Sequence, residues 1–147
     1  MSHKPSFSTL RSILVPTDLS SLSRVAIEYA KEMAEERSAR LHLLHVVQPP
    51  PYDPMIFPGV SVPTADTGNV VREAFERFAE DWPDAVLHQR EGRPHEEILE
   101  MASEIPSQLI VMSTHGRTGL SHALIGSVAE KVIRRSECPV LVVRPHS

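Results

Sequence analysis

The chain has 147 residues, enough for one domain that buries about 70% of the surface its unfolded form would expose, and a second domain is not expected. Hydrophobic residues make up 41% and charged ones 23%, which excludes the low-hydrophobicity, high-charge profile of a disordered chain. The formal net charge of −4, with Lys and Arg scattered rather than clustered, argues against nucleic acid as a partner.

Residues 1–10 are polar and read as a frayed start. Ser12-Ile13-Leu14-Val15 is a short apolar run ending at Pro16-Thr17-Asp18, the pattern of a fully buried strand. From Ser20 the period becomes helical, and Leu22, Val25, Ala26, Tyr29, Ala30, Met33 and Ala34 share the expected buried face. Leu41 to Val47 is a second strand, so the opening is β-α-β and implies a parallel pair. Residues 48–66 hold Pro49, Pro50, Pro51, Pro54, Pro58 and Pro63, too many for regular structure, and read as a surface loop.

Val70, Val71, Ala74, Phe75 and Phe78 recur at helical spacing. Trp82-Pro83-Asp84 then breaks the chain, and Ala85 to Arg90 forms a weaker strand suited to a sheet edge. Pro94 fits a first helical position, with Glu96 and Glu97 where the helix dipole favours negative charge, ahead of Ile98, Met101 and Ala102. Leu109 to Met112 is the fourth strand and Ser113 to Leu120 its loop. A last helix buries Val128, Ala129, Val132 and Ile133, and Pro139 opens the strand Val140 to Val143. The alternation predicts an α/β fold, a three-layer α/β/α sandwich around a five-stranded parallel sheet, as one domain over 1–147.

In such sheets ligands bind beyond the carboxyl ends of the strands, where strand order reverses. Two loops qualify, Pro16-Thr17-Asp18 and Ser113 to Gly119. Gly116, Gly119 and Gly126 fall close together, and Gly126-Ser127 opens the last helix. Glycine lets a phosphate approach the backbone, and the helix N-terminus offers unpaired N–H groups. Ser127 adds a hydroxyl. On the residues alone, a tight turn with Ser127 as a helix cap remains an alternative, as does a capping role for Asp18. The common P-loop and dinucleotide fingerprints are absent, as is a Gly-x-Ser-x-Gly elbow.

His42 and His45, three apart on a strand, point to opposite faces and cannot readily pair. His115 and His122 flank the glycine loop without a Cys or carboxylate at ligand spacing, so no metal site is expected. Cys138 has no adjacent base and reads as a half-buried structural thiol; one cysteine forms no internal disulfide. No charged-then-apolar leader precedes Arg11, and no apolar run approaches the roughly 20 residues of a spanning helix. A cytoplasmic protein without membrane insertion is expected.

Taken together, Ile13 to Asp18, Leu44-His45-Val46, Met112 to Gly119, Gly126-Ser127-Val128-Ala129-Glu130 and Cys138 to Val143 resemble the universal stress protein family over nearly the whole chain. The resemblance implies the strand order 3-2-1-4-5 of the adenine nucleotide alpha hydrolase-like fold. Nucleotide-binding members carry glycine, two residues, glycine, nine residues, glycine, then serine or threonine. Gly116, nine residues and Gly126-Ser127 fit this pattern, while Ser113 stands at the first glycine position.

The implied ligand is ATP or AMP, with Mg²⁺ as a companion ion to test. Carried over by position, Asp18 and Val46 lie at the adenine end, with Pro16 and Thr17 shaping the same wall. Met112 and Ser113 lie near ribose, and Gly116, Arg117, Gly126, Ser127 and Val128 surround the phosphates. Arg117 would add a charge-assisted contact. The resemblance also implies a homodimer through Val140 to Val143, which would cover an apolar sheet edge. The expected function is a nucleotide-binding stress-response regulator. The alternatives are a dimeric interaction protein without nucleotide, and a slow ATPase. Only Asp18 and Arg117 could serve phosphoryl transfer, so no catalytic residue is assigned.

Overall fold

The computed structural model describes residues 9–49, 65–107, 109–114 and 125–144. The expectations for residues 1–8 and 50–64, and for Gly116, Arg117 and Gly119, lie outside the described residues. The elements run β1 (Ser12–Pro16), α1 (Ser21–Arg37), β2 (Arg40–Val47), α2 (Ala65–Phe78), a 3₁₀ turn (Ala79–Asp81), β3 (Val86–Glu91), α3 (Pro94–Glu104), β4 (Leu109–Ser113), α4 (Ser127–Arg135) and β5 (Val140–Val143). Every strand pair is parallel and the order is β3-β2-β1-β4-β5, as the resemblance implied.

Burial explains the layering. Ile13, Leu14 and Val15 of β1 are all fully buried. Consecutive strand residues face opposite sides, so three in a row demand cover on both faces. On one face Ile13, Val15, Leu43 and Val111 pack with Ala26, Ile27 and Ala30 of α1 and Phe75 of α2. On the other, Leu14, Leu44, Ile110 and Met112 pack with Ile98 and Met101 of α3 and Ala129 and Val132 of α4. This is the three-layer α/β/α sandwich, with β1 at its centre and β3 and β5 at the edges.

Two helix faces differ from the expected ones, those of α1 and α4. The buried stripe of α1 is Ser23, Ala26, Ile27, Ala30 and Ala34, and Tyr29 is 46% exposed. Tyr29 lies about 100° around the helix from Ala30, outside the stripe. Ser23 is buried because its hydroxyl is satisfied locally, donating to the Ser20 carbonyl at 2.7 Å. On α4 only Ala129 and Val132 are buried, leaving Ile133 exposed. Val70 of α2 is exposed, whereas Phe75 one and a half turns later is fully buried.

At the β3 edge a cross-strand pair forms. His42 Nδ1 lies 2.9 Å from His88 Nε2, and the rings stack with centroids 5.2 Å apart. Burial lowers the pKa of both imidazoles; the charge of His88 and then Arg40 adds to this at His42, and Arg90 and Arg72 do so at His88, where Glu104 acts in the opposite sense.

A native pKa below the unfolded one means that the unfolded chain takes up protons first as pH falls below about 6.5. Stability from this pair is therefore complete above that pH and lost as the pH drops toward the native values. Urea unfolding should show a midpoint that falls between about pH 7 and pH 5, with a shallower fall in His88→Gln, which keeps a hydrogen-bonding side chain but does not titrate. An unchanged slope in the variant would assign the acid loss elsewhere.

Candidate functional site

The chain leaves β1 to build β2 and β3 on one side, then returns with β4 on the other. The loops after β1 and β4 therefore run apart, and a cleft of about 800 Å³ opens between them. That size is within the usual range of small-molecule sites. Pro16 lines it from the end of β1, Thr17 and Asp18 from the β1–α1 loop, Val46 from β2, Met112 and Ser113 from β4, and Gly126, Ser127 and Val128 from the start of α4. Every described residue singled out from the sequence thus meets in one cleft; Gly116 and Arg117 lie outside the described residues. A smaller hollow of about 450 Å³ runs along α1 past Glu28, Tyr29 and Glu32, away from the strand ends.

On the α4 side the residue capping the helix is Gly126, which has no side chain to offer. Ser127 is the first helical residue and not the cap, which corrects that alternative. The first-turn N–H groups thus receive nothing from a cap side chain, and they carry the positive end of the helix dipole. Gly126 is favoured for a reason separate from phosphate access. Its N–H donates to the Thr114 carbonyl at 2.7 Å, and a Cβ at 126 would sit 3.0 Å from that same oxygen. Its φ of −61° is open to any residue, so close approach is what selects glycine.

Ser113 occupies the last position of β4, in register with Val143. Among the described non-glycine residues only Leu19 and Ser38 have positive φ, so serine takes this backbone without strain.

The β1–α1 loop is tightly bonded. Thr17 N–H donates to the Leu44 carbonyl at 2.8 Å, and Thr17 Oγ1 lies 2.7 Å from Ser23 Oγ while accepting from Leu19 N–H at 3.0 Å. Asp18 Oδ1 accepts from Ser20 N–H at 3.0 Å and from the Ser20 hydroxyl. Ser20 in turn caps α1 by accepting from Ser23 N–H. The cap expected of Asp18 is therefore one step removed: Asp18 orders the residue that caps. Between them Leu19 holds φ at 65°, a left-handed conformation that costs a side-chain-bearing residue about 1–2 kcal/mol.

Sequence reading missed part of the lining. Leu19, His45, Val71, Ala74, Pro94 and Ile98 also face the cleft, as does the exposed Val70. The α2 residues were legible as an apolar helical face, with no reading of what that face meets. His45 belongs to the Leu44-His45-Val46 segment but was given no role in the site; its Nδ1 lies 2.9 Å from the Thr17 carbonyl, a contact visible only once β1 and β2 are in register. Among the described residues no group of three His, Cys, Asp or Glu could hold a metal ion, and no helix is long and apolar enough to cross a membrane. Cys138 is half-buried, with Sγ 3.5 Å from Ser136 Oγ.

Comparison with known proteins agrees with this fold. The universal stress protein family model matches residues 9–144. The chain is 36% identical over 139 residues to universal stress protein MJ0531 of Methanocaldococcus jannaschii, an alignment covering 91% of this chain and 82% of that one. Its fold matches the solved structure of MJ0577 from the same organism with a TM-score of 0.71 at 30% identity, covering 93% and 97% of the two chains. It also matches a universal stress protein solved in complex with cAMP, with a TM-score of 0.59 at 28% identity over 92% and 97%.

Gly126→Val, which drives carbon into the Thr114 carbonyl, should lower unfolding stability by about 1–3 kcal/mol in urea. Gly68→Ala is the control: a Cβ there meets nothing within 4 Å, and it should be neutral or stabilise by up to about 1 kcal/mol. Equal effects of the two would show that the α4–β4 approach is not tight.

Proposed function

This chain belongs to the universal stress protein family, and from that premise we propose that it binds an adenine nucleotide, ATP or AMP, in the cleft and acts as a stress-response regulatory module. The observation that carries the reading is the pairing, across one strand-reversal cleft, of a helix start capped by glycine with a bonded acidic loop. The donor set suits the ligand: first-turn N–H groups and the Ser127 hydroxyl for phosphate oxygens, and the apolar Pro16, Val46 and Met112 for a base and sugar. A relative solved with cAMP supports an adenine nucleotide as the ligand class.

In this reading Asp18 and Val46 meet adenine, with Pro16 and Thr17 as wall, and Met112 and Ser113 face ribose. Gly126, Ser127 and Val128 hold the phosphates together with Gly116 and Arg117, with Mg²⁺ as companion. The chain works in the cytoplasm as a single domain over 1–147. Two copies pair through β5, whose position at the sheet edge and exposed Leu141 support an interface. Binding rather than turnover is the function, since only Asp18 and Arg117 are candidates to assist phosphoryl transfer.

The test is a calorimetric titration of ATP, with and without Mg²⁺, into protein unfolded and refolded to strip co-purified nucleotide. The expected result is saturable binding at one site per chain, micromolar or tighter, about −8 kcal/mol. Asp18→Ala should weaken it, and Ser113→Gly should leave it equal or tighter. No heat and no thermal shift at millimolar ATP would refute the reading in favour of an interaction protein without nucleotide.

A further inference from the structure

We propose that His45 is a positioning residue for this cleft: it clamps the Thr17–Asp18 peptide and so holds Asp18 and the left-handed Leu19 in the ligand-ready conformation, an inference that rests on the nucleotide reading. His45 sits near the carboxyl end of β2 and Thr17 just beyond β1, its neighbour in the sheet. A carbonyl oxygen only accepts, so His45 Nδ1, 2.9 Å from Thr17 O, carries the proton and donates. The ring is steadied against the fully buried Phe75, with centroids 5.8 Å apart and planes tilted by 50°.

The bond completes the restraint of Thr17. Its N–H is held by Leu44, its hydroxyl by Ser23 and Leu19, and its carbonyl by His45. In a trans peptide the C=O and the following N–H point in opposite directions, so fixing Thr17 O also fixes the direction of Asp18 N–H. Leu19 comes next, in a conformation that persists only where its surroundings over-determine it. Thr17 is held from within the loop by Leu19, from α1 by Ser23 and from the β2 main chain by Leu44; His45 adds a restraint from a β2 side chain.

His45→Leu keeps a side chain branched at Cγ and removes the donor. His45→Asn places an amide nitrogen the same number of bonds from the main chain as Nδ1. In the calorimetric titration His45→Leu should weaken ATP binding by about tenfold, and His45→Asn should restore it to within about threefold of wild type. In the ligand-free protein, amide hydrogen exchange at Leu19 and Ser20 should quicken in His45→Leu and not in His45→Asn.

Failure of the wild-type protein to bind ATP, with exchange at Leu19 and Ser20 still quickened in His45→Leu, would overturn the nucleotide reading and leave the clamp standing. Unchanged exchange in His45→Leu would overturn the clamp, and if affinity fell regardless, His45 would instead touch the ligand. Quickened exchange with undiminished ATP affinity would show that the restraint does not serve binding.

Discussion

The structure depends on β1 being buried on both faces and paired on both edges. Ile13, Leu14 and Val15 are fully buried, with β2 in register on one side and β4 on the other. A strand so placed forces helices onto both faces of the sheet. It also forces the chain to change direction across it, because the loops after β1 and β4 must leave toward different layers. The cleft follows from that reversal and needs no separate construction. Its residues come from segments far apart in sequence, brought together by two parallel pairings.

The two walls of the cleft are held by different physics. At α4 the constraint is steric: the Thr114 carbonyl accepts from Gly126 N–H and would crowd a Cβ at 126. At the β1–α1 loop it is a set of short-range hydrogen bonds that compensates for the left-handed Leu19. Both arrangements hold backbone groups in place, which would reduce the ordering cost of binding a ligand there. The first turn of α1, which supports the loop, is itself anchored where Arg24 lies over the rings of Phe78 and Trp82 and ion-pairs with Asp81.

Much of this was legible in the sequence because parallel strands and their helices advertise themselves by period. The elements and the edge positions of β3 and β5 could be read from the pattern, the strand order and the places of Val46, Met112, Ser113 and Val128 only from the family resemblance, and part of the lining, Leu19 and the α2 residues among it, from neither. Helix faces were less legible. Tyr29 is apolar enough to be assigned to the core, yet Ser23 and Ile27 occupy it, because a serine with local hydrogen-bond partners can be buried and only packing reveals which stripe meets the sheet. The His42–His88 pair and the His45–Thr17 bond depend on register between strands and have no signature along the chain. Asp18 was read as a ligand or a cap, and its bond to Ser20 N–H shows a third role that residue preference does not distinguish.

The most direct test of the central claim is an amide-resolved NMR titration of nucleotide-free, ¹⁵N-labelled protein with ATP. The account predicts saturating shifts concentrated at Asp18, Val46, Ser113, Ser127 and Val128, with the hollow along α1 at Glu28, Glu32 and Glu35 undisturbed. Shifts centred on α1 or on β5, or none at millimolar ATP, would contradict it.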